Sequence, residues 1–144
     1  MKIICWLFFV SVNFLFLFVF TKGLDRPLLF KIFISLIPGL VIFAVIIMVL
    51  LKISGYEPDQ NFEQIFFSIF FSLMIIIVIN LFNQFFFFMI DSVVTFHKKN
   101  NVGNLDRNPI KFLINKQDIL KKATTVIWFM GSALMLYGAW LGKK

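Results

Sequence analysis

Four long runs without charge divide this chain. Lys2 and Lys22 bracket 19 uncharged residues, Lys31 and Lys52 bracket 20, Glu63 and Asp91 bracket 27, and Lys122 and Lys143 bracket 20. About 20 predominantly apolar residues, rising 1.5 Å each, cover the roughly 30 Å hydrocarbon core of a bilayer. The pattern predicts transmembrane helices near 3–21, 32–51, 64–90 and 123–142, in a single membrane domain covering 1–144. The expected fold is an all-α integral membrane protein, a four-transmembrane-helix bundle with a short cytoplasmic interfacial helix. Retention of the first segment is expected as well. Ile3 to Phe20 outruns the roughly 7–15 residues of a secretory h-region, and FTKGLD offers no A-x-A-like cleavage site.

Polar residues inside the runs are few, so their positions carry information. The third run closes with NLFNQFFFFMID, residues 80 to 91. At helical spacing Asn80, Asn83, Gln84 and Asp91 share about a third of the circumference with Ser72. Phe87 falls among them, whereas Phe85, Phe86 and Phe88 point elsewhere. From Ile65 to Ile79, twelve residues are Ile, Leu, Phe or Val. They contribute roughly −4 to −7 kcal/mol toward insertion, so the helix carries its amides securely. Interhelical hydrogen bonds in membranes average only about 0.6 kcal/mol. The stripe therefore reads as a docking seam, with Asn13 of the first helix and Ser35 of the second as candidate partners. An ion or proton path ordinarily needs ionisable groups deep in the membrane, and Asp91 stands at the boundary.

Other local signals refine the helices. Pro38-Gly39 predicts a kink in the second, because proline removes a donor and crowds the carbonyl four residues back. That pair is a candidate hinge, and Ser35 is placed to help satisfy the freed carbonyl of Ile34. In the fourth helix Gly131, Gly138 and Gly142 form a small-residue ridge with a GxxxG, which permits close backbone approach by a partner helix or a sister subunit. In the loop 91–122, Asn108-Pro109 reads as cap and first helical residue. An interfacial helix is expected from 109 to 122, with Asp118 and Lys122 as an i,i+4 pair. His97 reads as an interfacial residue where the third helix leaves the membrane.

Charge orients the bundle. The chain carries 14 basic and 7 acidic residues, net +7. With four spans, Lys2, Lys52, Lys143 and Lys144 share one side, and the other ten basic residues share the opposite one. Excess Lys and Arg in short loops marks the cytoplasmic face, so both termini are expected outside and loop 91–122 inside. The outer loop then presents Glu57, Asp59 and Glu63, with Trp6 and Trp140 near the outer headgroups. The basic face suits anionic lipid. It lacks the interleaved aromatic platform and motif spacing of a nucleic-acid site, and no nucleic acid is expected.

Chemistry is excluded by what the residues fail to provide. One His and one Cys do not make a metal site, no span holds paired carboxylates, and no serine has a base within reach. A single cysteine, Cys5, permits no intrachain disulfide. The expectation is a non-enzyme without a cofactor that acts by contact. Four spans with little soluble mass are similar in layout to bacterial immunity proteins against pore-forming toxins and to plasmid or phage exclusion proteins. That likeness implies an inner-membrane location and a toxin helix or another membrane protein as partner. The alternatives are an accessory subunit of a larger membrane complex and a small oligomeric transporter or channel.

Overall fold

The computed structural model describes residues 1–20 and 25–142. Among them the regular structure is entirely helical: α1 (Lys2–Phe18), α2 (Arg26–Ile53), α3 (Gln60–Asn100), a 3₁₀ turn (Val102–Asn104), α4 (Ile110–Asn115) and α5 (Gln117–Leu141). Lys22, Lys143 and Lys144, which enter the charge comparison, lie outside the described residues.

The helix ends follow from local chemistry. Gly55, at φ +68°, ends α2 in the left-handed conformation that glycine adopts without penalty. Its N–H reaches the Lys52 carbonyl and the next N–H, of Tyr56, reaches Leu51. This is a Schellman closure that satisfies otherwise orphaned carbonyls. Four residues later Asp59 caps α3 by accepting from the Phe62 N–H at 2.7 Å, and Glu63 adds negative charge to the first turn. His97, Lys98 and Lys99 occupy the last turn, where cations suit the helix dipole.

α3 is the axis. It packs against α2, α5 and α1, while α1 also lies along α5. One apolar cluster joins Phe9, Ile76, Leu136 and Trp140 across α1, α3 and α5; a second joins Leu29 and Phe33 of α2 to Ile77. α2 and α5 both run antiparallel to α3. Ser72 meets Trp140, Asn83 meets Thr125 and Asp91 meets Lys121, each step up α3 being a step down α5. The remaining surface is greasy, with large apolar side chains exposed on every long helix.

Three helices, α2, α3 and α5, are long and apolar enough to cross a membrane. α1 has 17 residues, which at 1.5 Å each reach about 26 Å, so its claim to a fourth span is weaker by length. Three further expectations change. α3 continues ten residues past 90, because charge ends an apolar run without ending a helix. The expected helix 109–122 is broken at Lys116, whose backbone (φ −112°, ψ 14°) leaves the helical region; its second half is the start of α5. At its front Pro109 itself is the N-cap residue, with no side-chain bond from Asn108. α2 is continuous through Pro38, and the third change is the role of Ser35. There Ser35 donates to Ile32 at 2.9 Å rather than serving the carbonyl of Ile34, and nothing lies within 4 Å of a Cβ built on Gly39.

Candidate functional site: a polar seam and its charged end

The amides of α3 are buried because their side of the helix faces α1 and α5. Asn13, Asn80 and Asn83 are fully buried and Gln84 is 3% exposed. The Asn13 amide donates to Ser132 Oγ at 2.6 Å, and Asn80 Nδ2 donates to Asn13 Oδ1 at 3.4 Å and to the Ile76 carbonyl at 2.8 Å. Further along, Thr125 Oγ1 shares its proton between Asn83 Oδ1 at 3.3 Å and the Lys121 carbonyl at 3.0 Å. Toward the start of α3, the Trp140 indole donates to Ser72 Oγ at 2.8 Å and the Ser68 hydroxyl to the Ala139 carbonyl at 2.9 Å. Phe87 is half-buried within this stripe, while Phe85, Phe86 and Phe88 are exposed. On the outer flank Trp128 stacks on Phe82.

The seam is not continuous. Between Ser72 and Asn80 it is interrupted by Ile76 and Leu136, 4% and 0% exposed, backed by the Phe9 ring stacked on Trp140. Four amide atoms on the other side of this plug have no hydrogen-bond partner among the described residues: Asn80 Oδ1, Asn83 Nδ2, and both Oε1 and Nε2 of Gln84.

At the end of the seam Asp91 ties three helices together. Its carboxylate accepts from Arg26 of α2 and from Gln117 and Lys121 of α5. Phe87 lies below, its ring 5.5 Å from the Arg26 guanidinium and 6.0 Å from the Lys121 ammonium. Asp91 follows the uncharged run and so stands outside the stretch 64–90 expected to span a membrane. Desolvation pushes its carboxyl up, but Lys121, Arg26 and Gln117 outweigh this and hold it below the ordinary carboxylate range.

The other sequence-designated residues are dispersed. Ser35 is exposed on α2 and makes no bond to the amide stripe. Gly131 and Gly138 face away from the bundle, with nothing within 4 Å of an added Cβ. At Gly142 an added Cβ would meet only its own helix, 2.5 Å from the Gly138 carbonyl, so this residue ends α5 rather than extending a ridge. Trp140 is 5% exposed and bonded inward, which removes it from the role of headgroup anchor. Trp6 is half-buried and donates to the Ala133 carbonyl at 3.4 Å. Glu57, Asp59 and Glu63 are exposed around the 54–59 turn. His97 holds Asn101 at the end of α3 through its ring Nδ1 at 3.3 Å, and no ion pair joins Asp118 to Lys122 among the described residues.

Sequence reasoning missed the α5 half of the seam. Thr125, Ser132 and Trp140 recur at seven- and eight-residue steps, on one helical face. The glycines drew attention to the opposite one. Arg26 and Lys121 were legible only as loop charge, and Gln117, a neutral amide, gave no signal. Comparison with protein-family models, with curated proteins and with solved structures returns no match.

Proposed function

We propose that this chain is a small non-enzymatic protein of a bacterial inner membrane that crosses the bilayer four times and acts by helix–helix contact. In this reading it is an immunity or exclusion protein that captures an incoming transmembrane helix, from a toxin or a transfer apparatus, before a pore or bridge forms. α1 is the shortest span, Arg26 and the 91–122 segment lie inside, and the 54–59 turn with its carboxylates lies outside. The division of basic residues supports that orientation: Arg26, Lys121, Lys122 and the loop between α3 and α5 gather at one end of the bundle, Lys2 and Lys52 at the other.

The observation that carries the contact reading is the division of α5 into two faces. Thr125, Ser132, Leu136 and Trp140 are buried in the chain's own bundle, while Gly131 and Gly138 are turned out with open space around them. Small outward residues let a second backbone come close. Conduction is opposed by the Ile76–Leu136 plug across the only polar seam of the described bundle. Affinity capture from native membranes tests the proposal. The wild-type chain is expected to bring down one membrane protein that Gly138→Leu fails to retain, with unfolding of the variant unchanged. Equal capture by the variant, or ion flux in liposomes from the purified chain alone, would overturn it.

A further inference from the structure

Two cavities flank the Arg26–Asp91 bridge. One, of about 480 Å³, lies between α2 and α3 and is walled by Phe30, Phe85 and Phe88. The other, of about 590 Å³, opens among α1, α3 and α5 beside Lys121 and Lys122. Arg26 and Gln84 line both. The first wall is aromatic, and the second sets Arg26, Lys121 and Lys122 beside apolar Leu17, Phe18 and Phe87, so together they offer both surfaces an amphiphile needs. Their level is also that of an interface, since Asp91 is the first charged residue after the 27-residue apolar run.

The charges lining the two cavities do not cancel. Arg26, Lys121 and Lys122 stand against Asp91 and Asp118, leaving one positive charge in surplus. Beside them Gln84 is buried with neither amide atom bonded among the described residues. An amide offers two donors and an acceptor, and leaving them unmade away from water is costly. The joint therefore presents a net cation, an uncommitted amide and an aromatic trough within one short length of helix.

We propose that this pair of cavities binds one anionic phospholipid. Its phosphate lies by Arg26 and Lys122, its glycerol-ester region is read by the Gln84 amide, and an acyl chain follows Phe30 and Phe88. Basic pockets between helices at a membrane surface suit such headgroups. The inference rests on the chain lying in a bilayer but not on the capture of a partner, and the two fail separately: lost capture leaves the lipid response intact.

The test uses the full chain in an uncharged detergent, with thermal unfolding followed as short-chain phosphatidylglycerol, short-chain phosphatidylcholine or inorganic phosphate is added. Phosphatidylglycerol is expected to raise the unfolding temperature at lower concentration than phosphatidylcholine, and inorganic phosphate to leave it unchanged. Lys122 is exposed, so Lys122→Gln should fold normally while needing about fivefold more phosphatidylglycerol for the same shift. Gln84→Leu should blunt the response to both lipids. Equal responses to the two lipids, a response to inorganic phosphate matching that to phosphatidylglycerol, or a wild-type lipid response in both variants would overturn the assignment.

Discussion

Asn13 and Gln84 are both buried amides of one seam, and their substitutions should have opposite signs. Asn13 is bonded to Ser132 and Asn80, so Asn13→Ala leaves partners unmade and should cost about 1 kcal/mol. Gln84 makes no side-chain bond among the described residues, and Gln84→Leu should gain about 1 kcal/mol in lipid-free detergent. Reversible unfolding in detergent reads both. Asp91 predicts a pH effect whose sign follows from its lowered pKa. A carboxylate depressed on folding contributes its full stability above the ordinary value of about 4 and loses it as pH falls through that value toward its folded one. The wild type should therefore lose stability steeply below about pH 4, and Asp91→Asn should be less stable at neutral pH and flatter across that window. The Asn80 stripe was legible from sequence because it lies within one helix, where spacing alone sets the face. Which residues oppose it was not. The Arg26–Asp91 and Lys121–Asp91 bonds join positions 65 and 30 residues apart, and no local pattern encodes them.

Among elements, α5 shows how adjacent residues divide between two environments. Gly131 is open on its Cβ side while its neighbour Ser132 is fully buried, because one residue turns the helix by about 100°. A small-residue motif says where a backbone can be approached, not by what, so Gly131 and Gly138 marked the outward face as readily as an inner one. Gly138→Ala should accordingly leave stability unchanged or slightly raised. Gly142→Ala should fray the end of α5, since its Cβ would press on the Gly138 carbonyl. Amide exchange at the last turn of α5 separates the two. The element boundaries had the same limit. Charge marked the end of the apolar run at 90, but the helix runs to Asn100, where His97 and two lysines suit its C-terminus. Gln117 and Lys121 reach Asp91 only because helix resumes after Lys116, a break that the smooth amphipathic reading of 109–122 concealed.

For the molecule as a whole, the orientation is tested at the exposed 54–59 turn. Tyr56→Cys in a Cys5→Ser background should be labelled by an impermeant thiol reagent in intact cells, and protection until the cells are opened would invert the bundle. The three longer helices were plain in the sequence because insertion depends on composition summed along a run. The order of α1, α3 and α5 around the seam was not, because it depends on pairings that only the assembled bundle supplies. One such pairing has a temporal side. Asp91 is made 65 residues after Arg26, and Lys121 a further 30 residues on. During synthesis α2 is therefore made before the carboxylate that clasps it exists. The clasp is complete only when α5 begins to emerge. A nascent chain halted short of that point should hold α2 to α3 through Arg26–Asp91 alone, so α5, made after both, is the helix that completes the clasp.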